Sequence, residues 1–354
     1  MNISIQKTAT PKAKPQDEGK LGFGKTFSDH MFVMDYEEGK GWYNARIQPY
    51  QNFSLDPASP VLHYGQEIFE GLKAYRSDGK DILLFRARDN ARRLNQSAER
   101  ICMPTIDVDM NYEAIAAIVD CERDWVPKSP GTSLYLRPTM IADGSALGVH
   151  AAHKYIYYII CSPSGAYYAN GLAPIRIFVE DQYVRAVKGG MGYAKTGGNY
   201  AASLKAAEEA AKKGYAQVLW LDGVERKYVE EVGAMNMMFV VGDTLITAAL
   251  EGSILPGITR MSILQLARDM GLKVEERRIP IAELVEAGES GDLKEAFGTG
   301  TAAVVSPVGE LTYKGKTVVV NNGEIGTLTQ KFYDTLTGIQ TGRLEDKYGW
   351  VTRV

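Results

Sequence analysis

Short apolar stretches of four to eight residues, separated by Gly, Pro, Asn and Asp, dominate the chain. They predict strands at 31–36, 41–47, 81–85, 133–137, 154–161, 175–180, 217–221, 236–241 and 244–247. The run KYIYYIIC (154–161) is apolar enough to be buried on both faces. Helical spacing places Leu94, Ala98 and Ile101 on one face, behind Asp89 as the expected N-cap. Further helices are predicted over 112–125, over the alanine-rich NYAASLKAAEEAAKK (199–213) with Gly214 as its stop, and from Pro256-Gly257 to Met270. Residues 1–20 are polar, carry Pro11 and Pro15, and read as a loose tail. A shift to small residues, prolines and tyrosines in SPSGAYYANGLAP (162–174) marks a linker. The expected organisation is a smaller N-terminal domain over 1–164, a linker over 165–172 and a larger C-terminal domain over 173–354. Strands and helices mix without a regular βαβ rhythm, so the class is α/β with α+β character. A TIM barrel or plain doubly wound sheet does not fit that order.

Composition narrows the functional classes. The 354 residues are 45% hydrophobic and 23% charged, ordinary values for a folded chain. Forty basic against 43 acidic residues leave a net charge of −3. That balance supplies no field for nucleic acid or an anionic membrane, so neither is expected as a partner. Cys102, Cys121 and Cys161 are odd in number and far apart, which argues against a disulfide framework or a cysteine zinc site. Of His30, His63, His150 and His153, the last two show i, i+3 spacing with no clear carboxylate third ligand nearby, and no metal is expected. The first residues hold no apolar segment of the secretory kind, and the expected location is cytoplasmic.

The richest stretch is KGGMGYAKTGGNY (188–200), in which five glycines bracket Lys195. Glycine lets backbone pass close to a ligand, and a lysine presented there is a candidate Schiff-base nucleophile. The same residues also suit a solvated Gly-rich loop. In Glu230-Glu231-Val232-Gly233, adjacent carboxylates on extended backbone face opposite ways, so one of them can point inward. Two segments suit a phosphate. LPGITR (255–260) opens a helix after a Pro-Gly turn, and FGTGTA (297–302) offers backbone and hydroxyl donors. Arg86, Arg88, Arg92 and Arg93 read as a solvated face from which one arginine could turn inward. Arg137 ends an apolar strand and suits either a substrate carboxylate or a structural ion pair. No Walker lysine, dinucleotide fingerprint or G-x-S-x-G elbow is present.

In order and wording these features resemble one family, the branched-chain amino acid aminotransferases, pyridoxal 5'-phosphate enzymes of fold type IV. The resemblance runs from about Phe23 to the C-terminus. It is carried by FGKTFSDHM (23–31), LHYGQEIFEGLKAYR (62–76), SLYLRPT (133–139), YVRAVKGGMGYAKTGGNYAASL (183–204), QVLWLDG (217–223), EEVGAMN (230–236), LPGITR (255–260) and FGTGTAAVVSP (297–307). It implies a small N-terminal α/β domain, a larger C-terminal pseudo-barrel domain and a bacterial-type enzyme. The implied reaction is transamination of L-leucine, L-isoleucine and L-valine with 2-oxoglutarate. Sister enzymes of fold type IV, a D-amino-acid aminotransferase or an aminodeoxychorismate lyase, are the alternative.

By the same resemblance Lys195 is the Schiff-base lysine and proton carrier. Tyr200 meets the cofactor 3′ oxygen, and Glu231 meets the pyridine nitrogen. Arg93, Ile258, Thr259, and Thr299 or Thr301 hold the phosphate. The substrate carboxylate falls to the backbone of Thr301 and Ala302 with Tyr64. Phe23, Tyr64, Tyr135 and Tyr167 line the side-chain pocket, and Arg137 meets the distal carboxylate of glutamate. Leu147 and Val149 reach in from the second subunit of a homodimer or higher homo-oligomer. Two departures stand out. Ala303 and Ser306 occupy the positions of a redox cysteine pair found in mammalian members, and Ala234 stands where some members have threonine.

Overall fold

The computed structural model describes residues 1–78, 81–165 and 172–354. The chain forms two compact units, one of Met1–Ala169, Ala194–Gly197 and Gly338–Val354, the other of Asn170–Tyr193 and Gly198–Thr337. This differs from the expected division in two places. The lysine-bearing segment and the C-terminal segment both belong with the first unit. The second follows from packing: Val351–Arg353 pairs antiparallel with Ile82–Phe85, and Trp350 packs edge-on against Phe85 at 5.7 Å. Tyr167 and most of the expected linker lie outside the described residues.

Among the described residues, the first unit is built on a nine-stranded sheet. Its order is Ser4–Ile5, Gly41–Pro49, His30–Glu37, Lys154–Ser164, Ser133–Asp143, Leu72–Arg76, Ile82–Phe85, Val351–Arg353. Glu67–Phe69 branches onto Ser133–Asp143. Alternation along the strands gives each face its own task. Leu72, Ala74, Leu134 and Leu136 join Phe32, Met34, Ile159 and Cys161 in a core with helices Ala87–Arg100 and Val108–Cys121. The intervening Lys73, Tyr135 and Arg137 take the other face.

Three local expectations are corrected here. The tail is not loose. Ser4–Ile5 pairs in parallel with Gly41–Pro49, Thr8 N–H donates to His30 Nε2 at 2.8 Å, and Lys12 N–H donates to Asp29 at 2.8 Å. Asp89 is not the N-cap of its helix. Arg86, in the left-handed region at φ 50°, stands there, while Asp89 in the first turn pairs with Arg86 at 2.6 Å and Arg92 at 2.7 Å. The helix predicted over 199–213 is two, Gly197–Ala201 and Leu204–Lys212. Ser203 separates them, its hydroxyl donating to the Tyr200 carbonyl at 2.7 Å in competition with the helical ladder.

The second unit also holds a nine-stranded sheet, and it curls. Val229–Val232, Gln217–Leu221, Ile175–Glu180, Val304–Tyr313, Leu293–Gly300 and Met235–Val241 follow one another as neighbours. Met235–Val241 pairs back onto Val229–Val232, which closes the ring. This is the pseudo-barrel. Thr244–Ala248 and Lys273–Arg277 extend it from Met235–Val241. No helix of the described residues is long and apolar enough to cross a membrane.

Candidate active site

In the first unit Lys195 is pinned by its backbone. Its N–H donates to Ser97 Oγ at 2.8 Å, its carbonyl accepts from Phe69 N–H at 3.0 Å, and the next hydroxyl, Thr196 Oγ1, donates to the Glu67 carbonyl at 2.7 Å. These bonds tie the segment to helix Ala87–Arg100 and strand Glu67–Phe69, so the glycine-flanked lysine is fixed at its root. Its Nζ lies 5.0 Å from the centre of the Phe69 ring. The Arg137 guanidinium lies 4.6 Å from the same ring and donates through Nη2 to Tyr135 Oη at 3.1 Å. Arg137 Nε is buried with no hydrogen-bond partner, an unmet donor of the kind a carboxylate satisfies. Phe23 packs edge-on against Tyr135 at 4.8 Å, which joins two of the expected pocket residues.

Arg93 is the arginine of its cluster that turns fully inward. It is 7% exposed and meets Glu70 in a parallel fork, Nε to Oε1 at 2.7 Å and Nη2 to Oε2 at 2.8 Å. Asn90 Nδ2 adds a bond to Oε2 at 2.8 Å. Burial pushes the Glu70 carboxyl up. The Arg93 charge and its bonds, then the Lys195 charge and the Asn90 amide, outweigh it and hold the group below the usual carboxylate range. Glu67 goes the other way. Its burial outweighs the Gly197 N–H and the Arg137 charge, and the group is raised. Tyr64 donates its hydroxyl to the Leu147 carbonyl, and Leu147 and Val149 are exposed apolar side chains at 64% and 85%.

In the second unit the closing of the barrel assembles the other expected residues. Glu231 stands opposite Asn236, and Asn236 opposite Thr299, in neighbouring strands. Glu231 is 3% exposed, and its Oε1 accepts from Leu255 N–H at 2.8 Å and Asn236 Nδ2 at 3.3 Å. Asn236 Nδ2 also donates to the Leu255 carbonyl at 2.9 Å, which fixes the approach to helix Ile258–Asp269. Gly257 is the N-cap of that helix and makes no side-chain cap bond, and the buried Ile258 and Thr259 open its first turn, where backbone N–H groups suit an anion. A Cβ at Gly257 would sit 2.0 Å from Asn236 Oδ1, so only glycine permits this approach. Thr301 and Ala302 lie in the turn between Leu293–Gly300 and Val304–Tyr313, which Val304 closes at φ 63°. A β-branched residue in that region is strained, as turns at ligand sites often are. Tyr200 lies in the short helix Gly197–Ala201.

A family profile described as amino-transferase class IV matches residues 67–311. The chain is 54% identical over 352 residues to branched-chain-amino-acid aminotransferase 2 of Bacillus subtilis (strain 168), covering 99% of this chain and 97% of that one. The chain belongs to the class IV aminotransferases. Among solved structures of this family, the Escherichia coli branched-chain amino acid aminotransferase matches with a TM-score of 0.75 and 29% identity, over 90% of this chain and 98% of that chain. The T.th. branched-chain amino acid aminotransferase, complexed with N-(5'-phosphopyridoxyl)-L-glutamate, matches with a TM-score of 0.73 and 28% identity, over 90% of this chain and 97% of that one.

For a class IV aminotransferase the residues present suit a phosphorylated pyridine. There is a rooted lysine, a buried carboxylate with two donors on one oxygen, and a helix N-terminus without a side-chain cap. Three residues of these sites escaped the sequence reading. Glu70 and Phe69 stand in the quoted EIFEG segment without a local signal of their role, and Arg185 is described below.

Proposed function

We propose that this class IV aminotransferase exchanges the amino group of L-leucine, L-isoleucine or L-valine with 2-oxoglutarate, giving the branched-chain 2-oxo acids and L-glutamate, with pyridoxal 5'-phosphate as cofactor. The observation that carries the reading is Lys195, bonded at both its N–H and its carbonyl and held within the field of the buried Glu70–Arg93 pair. When bound, the cofactor supplies an electron sink for the charge that develops at the substrate Cα. Lys195 binds it covalently and then carries the proton to and from Cα. Glu231 holds the ring nitrogen and Tyr200 the 3′ oxygen. Arg93, Ile258, Thr259 and Thr299 or Thr301 take the phosphate, with Glu70 orienting Arg93. Thr301, Ala302 and Tyr64 receive the substrate carboxylate.

Phe23, Phe69 and Tyr135 offer apolar surface to an aliphatic side chain, about 0.8 kcal/mol per methylene buried. Tyr167 belongs to the same proposed pocket. Arg137, with its unmet Nε, receives the distal carboxylate of glutamate. The exposed Leu147 and Val149 are covered by a second copy of the chain in a homodimer.

The test is an absorbance spectrum of protein loaded with pyridoxal 5'-phosphate, before and after L-leucine without any 2-oxo acid. The bound-cofactor band is expected to give way to that of the pyridoxamine form, to return with 2-oxoglutarate, and to be absent in Lys195→Ala. A response to D-alanine in place of L-leucine would move the chain to a sister activity. Arg137→Met is expected to slow the glutamate half-reaction at least tenfold more than the leucine one, about 1.4 kcal/mol of discrimination. Equal losses on both substrates would remove the distal-carboxylate role.

A further inference from the structure

Arg185 has been given no role so far. It lies in the second unit, 8% exposed, with Nε 3.0 Å from Glu231 Oε2. The N–H there is not aligned along that line, so the contact is ionic rather than a directed hydrogen bond. The directed bonds of Arg185 go elsewhere, from Nη2 to the Gly192 carbonyl at 3.0 Å and the Ser253 carbonyl at 2.8 Å. One guanidinium thus joins the glycine-rich loop, the loop before helix Ile258–Asp269 and the buried carboxylate. The approach is tight, since a Cβ at Gly192 would sit 2.0 Å from the Ser253 carbonyl oxygen.

Glu231 shares this interior with a second carboxylate. Glu230 faces the other way along the strand, 6% exposed, bonded through Oε1 to Ser253 Oγ and with no partner at Oε2. The charged groups that bear on Glu230 are Arg185, Glu231 and Asp222. Two buried neighbouring carboxylates with one guanidinium cannot both hold charge cheaply. Burial pushes Glu230 up, against the Ser253 bond and Arg185, and the charges of Glu231 and Asp222 add to the rise.

We infer that Arg185 is a positioning residue for the reaction: it keeps Glu231, rather than Glu230, ionised and aimed before any cofactor arrives, so that the empty site is already set for a protonated ring nitrogen. This rests on the reading of Glu231 as the ring-nitrogen partner. The physical reason is that a buried carboxylate held by neutral donors takes up a proton far more readily than one beside a guanidinium. Loss of the arginine therefore makes ring binding fall with falling pH. The sign follows from Glu231 alone: without Arg185 its proton affinity rises, and the protonated form no longer offers a charge to the ring.

The experiment titrates apoprotein with 4′-deoxypyridoxine 5′-phosphate, which has the ring and phosphate but no aldehyde, so that no bond to Lys195 forms. Binding is measured near pH 6 and near pH 8 for wild type, Arg185→Met, Arg185→Lys, Glu231→Gln and the double variant Arg185→Met with Glu231→Gln. Relative to wild type, Arg185→Met is expected to bind about tenfold more weakly near pH 6, with the gap closing near pH 8. In the Glu231→Gln background the same change is expected to add less than about twofold. Arg185→Lys, which keeps the charge but not both carbonyl bonds, is expected to melt lower and yet bind as tightly as wild type at both pH values. It carries the test on its own if Arg185→Met does not fold.

An equal loss at both pH values in Arg185→Met or Arg185→Lys, or a full further loss in the Glu231→Gln background, would overturn the inference and leave Arg185 as loop scaffold. Binding by Glu231→Gln like wild type at both pH values would instead remove the ring-nitrogen assignment on which it rests.

Discussion

Both units bury an arginine against a glutamate, and the two pairs are built differently. Arg93 and Glu70 meet fork to fork, and Asn90 Nδ2 and Gly71 N–H complete Glu70 Oε2 at 2.8 and 3.1 Å. Arg185 touches Glu231 with one nitrogen at an oblique angle and spends its directed bonds on two carbonyls. A carboxylate saturated by its own chain is a structural joint, here one within the field of the backbone-pinned Lys195. Glu231 is held at Oε1 by Leu255 N–H and Asn236 Nδ2, and Arg185 adds its charge at Oε2. The difference is between an arginine oriented by a two-bond fork and an arginine whose directed bonds lie elsewhere.

Removing Glu70 should show the larger effect on stability. Glu70→Leu removes both oxygens of the fork from the buried Arg93 guanidinium, and breaking such a buried pair costs roughly 3–5 kcal/mol. Glu231→Leu leaves Arg185 with its two carbonyl acceptors, so a loss of roughly 1–3 kcal/mol is expected. Urea unfolding of the two variants decides the matter, and the reverse ranking would undo the comparison. The Glu70 contribution also has a pH window. Its folded value lies below its ordinary 4.5. The stabilisation is therefore complete above about 4.5 and is lost as pH falls through the lower folded value. The gap between wild type and Glu70→Leu should narrow in that acid range.

Lys73 offers the opposite case, a buried charge that works against stability. It is 9% exposed, and burial pushes it down from 10.5 to about 8. Between about 8 and 10.5 the unfolded chain binds the extra proton, so stability rises with pH across that window, and below it the whole penalty is present. Lys73→Met should therefore gain up to about 3 kcal/mol at neutral pH, fading toward pH 10.5. Thermal melts at about pH 7 and about pH 10 measure both parts. A loss of stability at neutral pH would show that Lys73 has partners worth more than its desolvation.

How much of this was legible in the sequence follows from the range of each interaction. Strands such as His30–Glu37, Gly41–Pro49 and Lys154–Ser164 were readable because their apolar pattern is local, but Leu72–Arg76, Val229–Val232, Leu293–Gly300 and Val304–Tyr313 were not marked, and Glu230 and Glu231 are both buried where one inward carboxylate was expected. Lys195 stood out because glycines bracket it. The Ser4–Ile5 and Val351–Arg353 strands were not readable, since two or three residues carry no periodicity. The pairs Arg93–Glu70 and Arg185–Glu231 join positions 23 and 46 apart, and nothing beside either residue announces its partner. In the arginine cluster the sequence allowed one inward residue without saying which, because helix phase depends on where the helix begins. It begins at Ala87 behind Arg86, not at the expected Asp89 cap.

That cluster gives the smallest and sharpest contrast. Arg92 and Arg93 are adjacent on one helix, and each has a carboxylate partner at 2.7 Å. By distance alone the pairs are alike. Arg92, however, has a side chain 62% exposed, while that of Arg93 is 8% exposed. In water the Arg92–Asp89 attraction is screened, and holding the two side chains in one geometry costs entropy, so Arg92→Ala should change stability by less than about 1 kcal/mol. Raising the salt to about 1 M, where the screening length is about 3 Å, should erase even that. Arg93→Ala should keep most of its cost in the same salt, because no ions reach the pair. If Arg92→Ala matched Arg93→Ala, burial would not be what separates a joint from a surface contact, and the contrast between the two buried pairs would lose its physical basis.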